Sequence, residues 1–437
     1  MATFAQILVL TYILLTVLVG YFTPKETSER GFIYAGRKLT LPAFVMTLVS
    51  TWYGGILEIG RFGYEYGIVS WLILGVFYYI AAALYATVIA PKISTYSFGS
   101  IPELFDNYFG KKACIIAAIM MIFIASPAPY LKMLSIMIEY LYHIGPHYGI
   151  LIATIISMIY TLRGGFRSVV RTDIIQFSMM YLGFIGILVY LYMTYGGYSF
   201  LVEKLPDSKL SFPGDLSWGY ICAWGFIALV TFVDPNFYQR SFSGASPTIV
   251  KKGIFTSIVF WFVFDLISIL TALYSAAIIT DVQYSPFLDL VSIALPPLLQ
   301  GIFMVSMFAI VMSTIDSFIF VSGLTIGRDL LSYGKNKDKT VIHTKIGIVI
   351  SALFSVVLAT FFENAIDIWY VTGSFAASSL LVPMLCCFYK KEVRYPLALI
   401  VIPIAVTATW FLFGDSNLDP MYPGLLSSVV CYLLLRK

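Results

Sequence analysis

The residues best placed for chemistry lie in one apolar run, Ile310-Val311-Met312-Ser313-Thr314-Ile315-Asp316-Ser317, which puts four oxygen-bearing side chains within five positions. At 100° per residue a helix brings Ser313, Asp316 and Ser317 to one face and sets Thr314 beside Ser317. Such a cluster is costly in lipid unless satisfied, and its hard oxygen donors suit a cation such as sodium better than sulfur or imidazole would. The bland alternative has the hydroxyls bonding back to carbonyls one turn earlier. Two other apolar runs are interrupted. Ser50-Thr51-Trp52-Tyr53-Gly54-Gly55 places paired glycines in mid-span, and Thr231-Phe232-Val233-Asp234-Pro235 places an acid and a proline there. Unwound backbone at membrane depth is tolerated where it is buried in protein or lines a cavity, and it frees carbonyls for a cation and helix N-termini for an anion.

The elements that must position these residues follow from composition. The 437 residues are 59% apolar and 11% charged, with a mean hydropathy of +0.89. Soluble domains run at about 45–50% apolar and about 25% charged. A soluble enzyme, a disordered chain and a peripheral protein are excluded, and no basic run with interleaved aromatics marks a nucleic-acid partner. Apolar stretches of about 20 residues give thirteen expected spans, near 3–22, 41–66, 67–92, 113–142, 147–163, 167–195, 217–236, 251–280, 297–328, 340–361, 365–389, 394–414 and 421–436. With connections alternating sides, 23 of the 27 Lys and Arg residues fall on one side, Arg240, Arg328, Lys335 and Lys337 among them; Lys204 and Lys209 fall on the other. The positive-inside rule then places the N-terminus outside and the C-terminus in the cytoplasm. The first span has no basic n-region and is expected to be a retained helix.

The expected fold is all-α and integral to the membrane. The two interrupted spans lie five apart, as two five-helix halves of inverted topology require. One transporter domain over 1–437 is expected to comprise a peripheral helix at 3–22, inverted repeats at 41–195 and 217–389, and two peripheral helices at 394–436. Five cysteines lie in or at the ends of spans, where packing is expected and a disulfide framework is not. His143 and His147 are separated by Gly145 and Pro146, so a helical metal pair cannot form. Neither an enzyme's aqueous site nor a repeated pore loop is present, and an ion gradient is the expected energy source.

Between the fifth and sixth spans, Arg163-Gly164-Gly165-Phe166-Arg167 leads into Thr172-Asp173-Ile174-Ile175-Gln176. This Gly-Gly turn followed by Thr-Asp-x-x-Gln resembles the sodium/solute symporter family. The Ser-Thr-Ile-Asp-Ser stretch with Arg328-Asp329 closing its span, Gly36-Arg37 before the second span and Gln239-Arg240 after the seventh are similar to that family too, from about 30 to 330. The resemblance implies a leucine-transporter-type inverted-repeat fold and sodium as the coupling ion. It places a first Na+ at the carbonyls of Ser50, Tyr53 and Ile310 and the hydroxyls of Ser313 and Thr314. A second Na+, held by some members only, would use Asp173, Ser313 and Ser317, with Asp316 in the same neighbourhood. The alternative for Asp173 is an ion pair with Arg171 or Arg167.

Leu57, Leu74 and Phe77 stand where sugar-transporting members carry polar side chains, a departure that counts against a sugar. Trp52, Gly54, Gly55, Glu58, Lys132, Thr231 and Asp234 are the candidate substrate residues. Lys132, in a span that also carries Pro127 and Pro129, could meet a substrate carboxylate of an amino acid or organic acid; the structural alternative pairs Glu58 with Lys132 or with Arg61 at i+3. The expected function is sodium-coupled import of a small organic solute across the cell membrane by alternating access, with no obligatory protein partner. A proton-coupled symporter and a non-transporting solute sensor remain as alternatives.

Overall fold

The computed structural model describes residues 3–95, 99–333, 339–362, 364–414 and 418–437, so Lys335 and Lys337 lie outside the described residues. In chain order the principal helices are α1 (Thr3–Tyr21), α2 (Glu29–Tyr34), α3 (Leu41–Trp52), α4 (Ile56–Tyr66), α5 (Val69–Ile93), α6 (Ile101–Phe109), α7 (Lys111–Tyr142), α8 (Pro146–Gly164), α9 (Phe166–Tyr195), α10 (Trp218–Phe232), α11 (Pro235–Ser243), α12 (Pro247–Ile278), α13 (Pro286–Ala294), α14 (Pro297–Leu331), α15 (Thr340–Phe361), α16 (Ala365–Phe388), α17 (Pro396–Phe413) and α18 (Met421–Leu435). Among the described residues nine helices are long and apolar enough to cross a membrane, or eleven when each of two bent pairs is one span. Of the thirteen expected spans, the two beyond these form the 19-residue α8 and the 15-residue α18.

Both expected interruptions are breaks. The axes of α3 and α4 diverge by 61° around Tyr53–Gly55, and those of α10 and α11 by 41° around Val233–Asp234. At the first break the close approach of neighbours explains the glycines. A Cβ on Gly54 would stand 2.6 Å from the Cβ, Cγ2 and Oγ1 of Thr314, and one on Gly55 would stand 2.5 Å from Cη2 of Trp369. At the second, Pro235 lacks the N–H that would continue the ladder, and the Asp234 carboxylate caps α11 by accepting the Asn236 amide at 2.7 Å.

The two breaks are tied together by backbone. Leu39, just ahead of α3, pairs with the chain just past α11: its amide donates to Ser243 O at 3.2 Å and its carbonyl accepts from Ala245 N at 3.1 Å. Gln239 of α11 donates to Ile33 O at 2.5 Å. α14 runs through the middle of the protein, and every residue from Ser306 to Leu324 is buried. By contrast α1, α17 and α18 expose Leu14, Leu15, Leu412, Phe413 and Leu434, a lipid-facing surface in a chain of this composition. All five cysteines are free.

Candidate functional site

The break between α3 and α4 faces the middle of α14. Ser313 donates to Asp173 Oδ1 of α9 at 2.6 Å and lies 2.9 Å from Ser50 Oγ. Thr314 lies 2.9 Å from the Thr51 carbonyl and 3.2 Å from the Ile310 carbonyl. Ser50, Ser313, Thr314 and Ile310 are therefore in one place, and Tyr53, fully buried at the C-cap of α3, ends the helix above them. Its hydroxyl is used elsewhere, donating to Trp261 O at 3.0 Å, which leaves the backbone of Tyr53 as its contribution to the break. Every oxygen here is a hydroxyl, a carbonyl or a carboxylate, and this is the donor set of a small hard cation. No group of three or more His, Cys, Asp or Glu suited to a transition metal occurs among the described residues.

One turn further along α14 the cluster differs from expectation. Arg240, counted by the charge pattern among residues at one membrane face, is fully buried. Its Nη2 donates to Thr51 Oγ1 at 2.6 Å, Ser317 Oγ at 2.8 Å and Thr47 Oγ1 at 2.9 Å, and stands 3.5 Å from Asp173 Oδ2. Thr47 also donates to Asp173 Oδ2, and Thr51 and Ser317 are 3.0 Å apart. Asp173 is thus paired with Arg240, not with Arg171, and Arg167 lies 3.9 Å from Glu26 instead. A guanidinium nitrogen holds the centre of the oxygens that a second cation would use. Asp316 faces the other way and accepts from Tyr160 of α8, so its carboxylate is not brought to Asp173; its Oδ1 has no partner among the described atoms.

Beside the break lies a central cavity of about 310 Å³. Trp52, Gly55, Glu58 and Asp234 line it, and Thr51 joins it to the oxygen cluster. Gly54 packs on Thr314 instead, and Thr231, 1% exposed, is buried behind the lining with its hydroxyl unpartnered. Lys132 is elsewhere: it lines a second cavity of about 230 Å³ with Glu58, Arg61 and Glu65. Glu58 pairs with Arg61 at 2.8 Å, the i,i+3 alternative, and no carboxylate lies within 4.0 Å of Lys132 among the described residues.

Several site residues escape sequence reasoning. Thr47 and Thr51 precede the break one turn apart in α3, but threonine is common in membrane helices. Trp369 of α16 reaches the central cavity from a span with no interruption to mark it, beside Asp265 of α12, which the sequence does mark, as an ionisable group at membrane depth. Arg240 carried a signal in its position i+4 to Asn236, immediately after the Asp-Pro break, where its Nη1 bonds the Asn236 side chain at 3.4 Å.

Residues 32–395 match the sodium:solute symporter family. The chain is 24% identical to the high-affinity proline transporter PutP of Bacillus subtilis, with 95% of this chain and 94% of that protein covered. It is 23% identical to the sodium/pantothenate symporter of Haemophilus influenzae, with 99% and 95% covered. In structure it superposes on a Na+-coupled sialic acid symporter, solved substrate-bound and outward-open, with a TM-score of 0.84 at 16% identity over 100% of this chain and 99% of that one, a likeness of fold. The chain is a transporter and not an enzyme, an integral protein of the plasma membrane that couples to sodium: it belongs to the sodium:solute symporter family.

Proposed function

We propose that the protein imports a small organic solute by alternating access, driven by one sodium ion bound at the carbonyls of Ser50, Tyr53 and Ile310 and the hydroxyls of Ser313 and Thr314. The observation that carries this reading is the meeting of Ser313 and Thr314 with the α3–α4 break, at 2.9 Å from Ser50 Oγ and from the Thr51 carbonyl. Because the ion would touch both the broken helix and α14, its affinity depends on how closely the two are packed, and a ligand shifts an equilibrium by its differential affinity for the states. Sodium bound here favours the state in which the break is closed on α14 while the central cavity stays open to the solute.

The Na+ stoichiometry follows from Arg240. A second sodium beside Asp173 and Ser317 would share a buried pocket with a guanidinium whose Nη2 is 2.8 Å from Ser317 Oγ, and like charges at such range repel strongly in a low dielectric. Arg240 then acts as a tethered cation in place of the second ion. The inverted repeats are proposed as 41–195 and 217–389, with 3–22 and 394–436 peripheral, thirteen spans, the N-terminus outside and the C-terminus in the cytoplasm. Rocking would carry α3–α5 and α10–α12 against the rest, and the Leu39–Gly244 bridge would keep the two broken helices in step.

The test is heat stability of the purified full-length protein in sodium against potassium. Sodium stabilises the wild type, and Ser313→Ala and Thr314→Ala remove that stabilisation. Sodium dependence of wild-type size in both variants would defeat the assignment, and solute uptake that tracks a pH gradient without sodium would establish proton coupling instead.

A further inference from the structure

The composition of the central cavity indicates the class of solute. Four carboxylates line it, Glu58, Asp234, Asp265 and Asp419, and no Lys, Arg or His does among the described residues. Glu58 is neutralised by Arg61, and Asp419 is held in hydrogen bonds, accepting from Ser374 Oγ at 2.8 Å and Met421 N at 2.7 Å. Asp234 and Asp265 differ. Neither has a cation within 4.0 Å among the described residues, although Asp265 is 5% exposed. Asp234 accepts the capping amide of Asn236, and Asp265 accepts from the Tyr79 hydroxyl. Arg240, the nearest cation to Asp234 in the break, does not line the cavity, and its Nη2 is committed to Asp173 and three hydroxyls.

Aromatic rings share the rest of the wall with aliphatic side chains. Trp52 and Tyr78 meet edge to face at 5.3 Å between centroids, and Tyr130 and Trp369 approach at 5.7 Å. Trp224 and Tyr370 complete the aromatic lining used here. Aromatic faces attract cations, and the attraction grows as the cation is desolvated. Two donors are also left over. Asn236, 3% exposed, accepts from Arg240 Nη1 at its Oδ1 and keeps Nδ2 without an acceptor, and Trp369 Nε1 has none either. Both atoms belong to residues of the same cavity wall.

We infer that the transported solute carries a cationic nitrogen, a protonated or quaternary amine, held over the aromatic faces with Asp234 and Asp265 as its counter-charges, and that an oxygen elsewhere on the solute accepts from Asn236 and Trp369. This rests on the symport reading and narrows it: an organic anion would have to sit among four carboxylates with no cation of the protein to meet it. The role expected for Lys132 toward a substrate carboxylate is replaced, because Lys132 belongs to the other cavity. A cationic amine free of other charge, as in choline, and one that is part of a zwitterion, as in proline, share the feature on which recognition depends.

The experiment is a thermal-shift titration of the purified full-length protein in saturating sodium, with choline, proline, the uncharged tert-butyl isostere of choline, and pyruvate as probes. Saturable stabilisation by choline or proline is expected, with the isostere at least tenfold weaker and pyruvate without effect. Asp265→Asn and Asp234→Asn keep hydrogen-bond acceptors, and asparagine is as good an N-cap as aspartate; each is expected to weaken the amine about tenfold while stabilisation by sodium alone persists. Stabilisation by pyruvate, equal stabilisation by the isostere, undiminished amine affinity in both variants, or no response to either amine would overturn the inference. In each of those cases sodium stabilisation would still stand, whereas failure of the symport reading removes the sodium response itself.

Discussion

Replacing Arg240 with glutamine separates the guanidinium's charge from its hydrogen bonds. In the wild type Nη2 makes three bonds of 2.6 to 2.9 Å to Thr51, Ser317 and Thr47 and stands 3.5 Å from Asp173, with both charged side chains fully buried. Removing one partner of a buried pair leaves an uncompensated charge and costs about 3–5 kcal/mol. The loss should depend on the salt. In potassium Arg240→Gln loses that full amount, whereas in sodium the vacated seat, with Asp173, Thr47, Thr51 and Ser317 around it, accepts a second ion and recovers part of it. An ion present at about 100 times its dissociation constant returns about 2.7 kcal/mol. The assay is a sodium titration of the melting temperature. The wild type titrates with a Hill coefficient near one; the variant starts lower, gains more and shows a coefficient above one. Adding Asp173→Asn removes the stranded charge, restoring most stability in potassium and abolishing the extra sodium response. A variant as stable as wild type in potassium, or one that loses stability equally in both salts with an unchanged coefficient, would refute the tethered-cation account.

Gly54→Ala places a methyl group 2.6 Å from three atoms of Thr314. It should push Thr314 from the break and weaken sodium at least tenfold, measured by the same titration, while Gly186→Ala, which meets nothing within 4 Å, leaves it unchanged. Gly55→Ala drives instead against Trp369 and should reduce solute affinity more than sodium affinity, read by isothermal titration with choline and proline. Lys132→Ala is expected to leave amine binding within twofold of wild type, because Lys132 lies outside the central cavity. Asp234→Ala, unlike Asp234→Asn, also loses the cap of α11, so its melting temperature should fall by the equivalent of about 1 kcal/mol beyond that of the asparagine variant.

What the sequence made legible was whatever is costly in lipid. Paired glycines in mid-span, an Asp-Pro step in another, and Ser313-Thr314 in an apolar helix each oppose the default of an unbroken apolar span, and each proved to lie at a break or against one. Arg240 was not legible as a buried residue because an arginine at the end of a span reads the same whether it faces the aqueous rim or turns inward toward an acid 67 positions earlier. The character of the cavity was hidden for a related reason. Its wall is assembled from side chains on several helices, so that Lys132 and Asp265, both conspicuous in the sequence as charges at membrane depth, line different cavities, while Trp369, inconspicuous there, lines the central one with Asp265.

The most direct test of the central claim is the charge displaced when sodium is raised over proteoliposomes adsorbed to a solid-supported membrane, at constant pH and ionic strength, with and without a cationic amine. A saturable, sodium-specific displacement is expected in the wild type, enlarged by the amine and abolished by Ser313→Ala with Thr314→Ala. An undiminished displacement in the double variant, or one that follows protons at zero sodium, would contradict it.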